Sequence, residues 1–227
     1  MKLIRLKLKA PLQSWGERAR WDVRDTSNMP TKSAIIGMLG GCLGYPRGDK
    51  RLSELSERIH VAVRADNMGQ LMTDFHTVQG TGGTLLNAAG KTRSNGNTII
   101  TQRQYLQDAE FTVLIWGEEK MLVSCEHALL HPVWPPYLGR RSCVPAVPLI
   151  PDVIEAESVD AAIRTFEQKM PLTSVLAEIE MLPGEQIEPH ERMIERRDEV
   201  LRADLNQYHT RNVRAFVIRK EEARVSE

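Results

Sequence analysis

Charged and apolar side chains alternate through residues 2–9, KLIRLKLK. A period of two predicts a half-buried strand with a basic outer face. Pro11 ends it, and a polar loop over 13–30 follows. The segment 31–43 changes period: Ile35, Ile36, Met38, Leu39, Cys42 and Leu43 recur at helical spacing, with Thr31 or Ser33 as the cap. Gly37, Gly40, Gly41 and Gly44 would each cost a helix about 1 kcal/mol relative to alanine, so something is expected to approach that backbone closely. Residues 52–58 predict a short helix and 59–65 (IHVAVRA) a strand. The clearest strand is 110–116 (EFTVLIW), followed by an amphipathic helix over 118–130 carrying Met121, Leu122, Cys125, Leu129 and Leu130. Pro145, Pro148 and Pro151 predict an extended link. Beyond it, 158–169 reads as helix (Val159, Ala162, Ile163, Phe166), and 175–182 and 212–220 as strands. The charged run 193–198 suits a strand or a solvated helix.

One stretch breaks this regularity. Residues 71–78 and 98–106 could pair as strands, but 80–97 between them is rich in Gly, Asn, Thr and Ser and holds too few apolar residues for a core of its own. The span 75–107 contains none of the chain's 30 Asp and Glu residues, yet keeps Lys91, Arg93 and Arg103. This pattern predicts a long hairpin arm, cleared of negative charge, that suits contact with a polyanion. The plain alternative is a surface loop short of acids by accident. Strand, helix, strand, arm, strand, helix is the order of an α+β, ferredoxin-like βαββαβ sheet with an inserted hairpin.

Composition changes the picture in one respect. A net charge of +0 over 227 residues hides an asymmetry: residues 1–51 carry eleven bases against four acids, and 150–200 carry thirteen acids against five bases. A basic first part implies an anionic partner, and an acidic later part implies protein or solvent. Cys42, Cys125 and Cys143 have no metal spacing, so reduced, buried thiols and a cytoplasmic location are expected. No signal-peptide pattern and no apolar run near the ~20 residues of a membrane helix occur.

Candidate chemistry is concentrated at three places. In the 13–30 loop, Trp15 and Trp21 alternate with Arg18, Arg20 and Arg24, an arrangement suited to base stacking with phosphate contact, although Trp15 serves equally as a core plug. Lys32 stands beside free amides at a helix start, where a phosphate could bind. In 135–143 (PPYLGRRSC), Tyr137 offers a ring, Gly139 a permissive backbone, and Arg140 and Arg141 two forked donors. No GxxxxGK[ST] loop is present. His127 and His131 have i, i+4 spacing but no HExxH context, and a helix C-terminus favours histidine without any metal.

Five blocks then form a recognisable series: PLQSWG (11–16), MPTKSAIIGMLGGCLG (29–44), DFHTVQG (74–80), QRQYLQDAEFTV (102–113) and PYLGRRSC (136–143). In this order and spacing they resemble the Cas family 5 subunits of type I-E CRISPR Cascade, in the RAMP superfamily. The resemblance implies an RRM-like palm over 1–149 with a hairpin thumb at 75–107, and a smaller β-rich region over 150–227 that completes or flanks it. It implies a structural, RNA-binding protein that holds the crRNA 5′ handle, caps the foot of the CasC backbone filament, touches the large subunit CasA and meets target DNA indirectly. Cleavage of the repeat is assigned by this resemblance to another subunit, CasE, so no catalytic residue, metal or cofactor is expected. The candidate RNA-binding set is Trp15, Arg18, Arg20, Arg24, Lys32, His76, Lys91, Arg93, Arg103, Tyr105, Tyr137, Arg140 and Arg141. The competing class is a metal-independent endoribonuclease, since relatives in another CRISPR subtype cut the repeat. Such an enzyme needs a general base and a cation near the scissile phosphate, with His76, Tyr105 and Lys91 as its candidates.

Overall fold

The computed structural model describes residues 1–17, 22–79, 98–166, 174–219 and 224–225. The alternating segment forms β1 (Lys2–Lys9), followed by the short strands β2 (Leu12–Gln13) and β3 (Val23–Arg24). Helix α1 (Lys32–Cys42) starts where the sequence places it, with Thr31 Oγ1 accepting from the Ala34 N–H. Then come α2 (Arg51–Arg58), β4 (Ile59–Asn67), β5 (Gln70–Val78), β6 (Ile99–Gln107), β7 (Glu110–Gly117) and α3 (Glu119–Leu130). The later part supplies β8 (Asp152–Glu155), α4 (Val159–Ile163), β9 (Thr165–Phe166), β10 (Ser174–Glu180), β11 (Arg192–Arg202), β12 (Gln207–Arg219) and β13 (Arg224–Val225). No helix among the described residues is long and apolar enough to cross a membrane.

The fold is mixed α+β, built on a seven-stranded sheet in the order β11-β12-β10-β4-β7-β1-β8. Every neighbouring pair in it is antiparallel. The alternation of side chains divides two cores between its faces. Ile4, Leu6, Leu8, Val61, Val63, Phe111, Val113 and Ile115 pack with α1, α2 and α3. Leu3, Ala62, Leu114, Trp116, Val175, Ile179, Phe216 and Ile218 pack with α4 on the other face. Because β7 is buried on both faces, its sequence reads as a continuous apolar run.

A second sheet holds the base of the arm. Strand β6 pairs with β2, β3 and β5, and the β5–β6 register runs from Gln70↔Gln107 to Val78↔Ile99. The predicted flanks of the arm therefore form a hairpin ladder, while the centre, 80–97, lies outside the described residues.

Three expectations change. The helix predicted over 158–169 stops at Ile163, because Thr165 and Phe166 pair as β9 with β13, a contact that local periodicity cannot reveal. The ambiguous charged run is strand β11, paired along β12. Of the glycines in and just after α1, a Cβ at Gly40 would overlap the Leu52 side chain, and Gly44, beyond the Leu43 cap, turns at φ +75° against Val133, but Gly37 and Gly41 have nothing within 4 Å. The close approach is thus confined to Gly40 and to the turn after the helix.

Candidate nucleic-acid interface

The loop 136–143 is pinned at both ends and exposed between. Leu138 and Cys143 are almost fully buried. Ser14 N–H donates to Leu138 O (3.1 Å), Leu138 N–H to Cys143 O (2.8 Å) and Cys143 N–H to Arg140 O (2.8 Å). Gly139 adopts φ +94°, and a Cβ there would overlap the carbonyl of Ser14, so only glycine fits. The consequence is that Tyr137, 41% exposed, and Arg141 project to solvent from a fixed backbone.

The PLQSWG segment ties this loop to the base of the hairpin. Gln13 Nε2 donates to Ala109 O (2.6 Å) and Leu8 O (3.3 Å), and Ser14 Oγ donates to Gln104 O (3.2 Å). Trp15 is bridged to Ser27, and its backbone N–H donates to Thr26 Oγ1 (2.8 Å). Its ring is fully buried in the core, so Trp15 is a plug and offers no stacking face. The roles of Gln13 and Ser14 were not legible in the sequence, since the carbonyls of Ala109, Gln104 and Leu138 that they reach lie far along the chain.

In β3 and β6, Arg24 and Arg103 are register partners on adjacent strands. Both are half-buried, and the Arg103 guanidinium donates to Thr101 Oγ1 (3.3 Å). Tyr105 is 5% exposed and lies beneath the Arg140 guanidinium, 4.6 Å from its ring centroid, so it too is withdrawn from a ligand. His76 faces Thr101 across the ladder, half-buried, with Nδ1 enclosed and without a hydrogen-bond partner among the described residues. Arg18, Arg20, Lys91 and Arg93 lie outside the described residues. Of the nuclease candidates, then, His76 and Tyr105 share one face of the hairpin, with Tyr105 covered by Arg140.

Lys32 departs most from expectation. The start of α1 does hold an anion, but it is Asp198 of β11, whose Oδ2 accepts from the Lys32 N–H (2.6 Å). The Lys32 ammonium is fully buried on Glu180 (2.7 Å) and Glu199 (3.0 Å). Arg211 joins Asp198 at 2.7 Å and stands 3.7 Å from Glu180, in ion-pair range but beyond a hydrogen bond. His60 Nδ1 and the Val61 N–H also donate to Glu180. Burial pushes the Glu180 carboxyl up, but the His60 hydrogen bond, Lys32 and Arg211 outweigh it and hold the group below its ordinary range. Lys32 is therefore an internal counter-ion, not a ligand-facing cation.

The same matching explains much of the basic first part. On β1, Arg5 pairs with Asp152, and Lys7 and Lys9 both reach Glu110. Burial raises the thiol of Cys42 to about 11 and that of Cys125 to about 12, so both are protonated packing groups, as their sequence context predicts. Near the arm, Tyr137 and Arg141 face solvent, beside the half-buried Arg24 and Arg103, the latter opposite Asp74 across the hairpin ladder.

Comparison with known proteins identifies the family. The family model described as CRISPR-associated protein (Cas_Cas5) matches residues 3–222. The chain is 39% identical over 172 residues to the CRISPR system Cascade subunit CasD of Escherichia coli strain K12, covering 71% of this chain and 75% of that one. It also superposes on a chain of a CRISPR RNA-guided surveillance complex with a TM-score of 0.73 at 30% identity, covering 96% of this chain and 89% of the other. A crystal structure of a Cas protein matches with a TM-score of 0.70 at 28% identity, over 98% of this chain and 97% of that one. The chain belongs to the Cas family 5 of CRISPR-associated proteins.

Proposed function

We propose that this chain is the crRNA-binding structural subunit of a type I-E Cascade surveillance complex, acting in antiviral defence. It holds the 5′ handle of the crRNA, caps the CasC backbone filament, and touches CasA. The observation that carries this reading is the pinned loop 136–143, which presents Tyr137 and Arg141 beside the Arg24–Arg103 row at the root of an acid-free arm, in a chain 39% identical to a Cascade subunit. Unpaired bases stack on exposed rings and phosphates are tracked by arginines. The arm, as a thumb, lies across the RNA where handle gives way to spacer.

The palm is RRM-like, or ferredoxin-like. Its support is the order β4-β7-β1-β8, in which β1 and β4 run parallel on either side of β7, joined through α1 and α2, while α3 joins β7 to β8. The region 150–227 completes this palm, since it supplies β8 at one edge of the sheet and β10, β12 and β11 at the other.

The reading is tested by titrating the protein with repeat-derived RNA carrying the handle, at several salt concentrations. If four to six phosphates are neutralised, log affinity falls by about 0.7 per phosphate for each tenfold rise in salt. A flat response removes the electrostatic account. Incubation with repeat RNA in EDTA tests the enzyme alternative; clean cleavage would overturn the binding-only reading.

A further inference from the structure

The two consecutive arginines of the 136–143 loop look interchangeable in sequence, but the fold gives them opposite directions. Arg141 is exposed. Arg140 turns inward: Nη1 donates to Gln104 O (3.1 Å), and Nη2 donates to Arg24 O (2.9 Å) and Asp25 O (3.4 Å). The same guanidinium covers the buried ring of Tyr105 at 4.6 Å. Three segments distant in sequence therefore meet at one side chain: the loop that carries it, the return strand β6 of the arm, and the β3 segment that leads out of the arginine-rich loop.

We propose that Arg140 is a positioning residue, which sets the β3 segment against the root of the arm, and that Arg141 is the member of the pair that contacts phosphate. This rests on the RNA-binding reading above. The argument is one of donor geometry. A guanidinium has five N–H donors in a fixed fork. Here both terminal nitrogens are committed to main-chain carbonyls and one face of the guanidinium plane lies on Tyr105, so the end-on edge that would grip a phosphate through Nη1 and Nη2 is already occupied. The three carbonyls in turn belong to the segments that carry Arg24 and Arg103. Arg140 acts on RNA only through where those strands lie.

The test compares Arg140→Ala, Arg140→Lys and Arg141→Ala in RNA titrations across salt, with hydrogen exchange of residues 22–27 and 98–107 and with thermal unfolding. Arg141→Ala lowers the salt slope by about 0.7, one phosphate's share, and leaves exchange unchanged. Arg140→Ala weakens binding about tenfold at an unchanged slope, as expected for loss of charge-assisted hydrogen bonds made away from the ligand, and speeds exchange in 22–27. Arg140→Lys keeps the charge but cannot span three carbonyls, so it restores little affinity. It is also the variant to read if alanine prevents folding. Rescue by lysine together with a slope loss in Arg140→Ala would overturn the proposal, because that is the signature of a direct phosphate contact. A lower melting temperature with unchanged RNA affinity would also overturn it, leaving Arg140 merely structural. Should the unmodified protein fail to bind handle RNA, the function reading falls, but exchange still decides the staple: unchanged exchange in Arg140→Ala refutes it.

Discussion

Two clusters of charge in this molecule began with the same promise and ended differently. At the start of α1, Lys32 and free helix amides form an anion site, and the anion is the chain's own Asp198, with Glu180, Glu199, Arg211 and His60 closing the cluster. At the root of the arm, Tyr137 and Arg141 stand exposed on a loop whose backbone is held from beneath. The first cluster joins the basic early part of the chain to the acidic later part. In the second, Asp74 of β5 stands across the ladder from Arg103, but Arg141 has no counter-ion among the described residues and the span 75–107 adds no carboxylate. A basic residue is evidence for a nucleic acid only when the fold has not already supplied its counter-charge.

The comparison can be broken most forcefully at its closed end. Replacing Lys32 by Met leaves Glu180 and Glu199 without their shared cation, and loss of one partner of a buried pair costs about 3–5 kcal/mol. Urea denaturation should show that loss, with the folded fraction keeping its RNA salt slope. At the open end, Gly139→Ala forces a side chain into the Ser14 carbonyl at a positive φ, a strain of about 1–3 kcal/mol. Here both melting temperature and RNA affinity should drop, because the loop that carries Tyr137 and Arg141 must shift.

Of these two clusters, acid should act on the closed one. Glu180 is held below its ordinary range in the folded protein, so its contribution is fully present above the unfolded carboxylate value of about 4.3. That contribution is lost as pH falls through the lower folded value. Denaturation midpoints measured from pH 7 down to 3 should decline in this acidic window, and the decline should be shallower in Lys32→Met. The smallest effect is Arg141→Ala, a severalfold loss of affinity that appears as a salt slope reduced by about 0.7, with stability unchanged.

Most of the fold could be read from the chain wherever a local period decides it. The alternation of 2–9, the cap at Thr31 and the apolar run of 110–116 each correspond to an observed element. The reading weakened where charged groups point inward. In β11, Asp198 is buried and Arg196 is half-buried, the latter on Glu178 of the sheet, so a hydrophobic pattern sees only a solvated run. It failed where a partner lies far along the chain: Phe166 joins a strand because Val225 is beside it. The same limit governed the candidate site. Sequence could mark Lys32, Trp15 and Arg140 as chemically capable, but Asp198, the core around Trp15 and the carbonyls of Gln104, Arg24 and Asp25 decide what each side chain is able to touch. Tyr137 and Arg141 are left facing solvent for a different reason, because Leu138 and Cys143 take the buried positions of their loop.

The central claim is that RNA meets the root of the arm and not the start of α1. Ultraviolet cross-linking of the protein to handle RNA, followed by mass spectrometry of the attached peptides, tests it directly. Cross-links should fall in 136–143, with Tyr137 as the main adduct, and in 98–107, and should be lacking from 30–36. Adducts concentrated at 30–36 with none on the 136–143 loop would contradict the account.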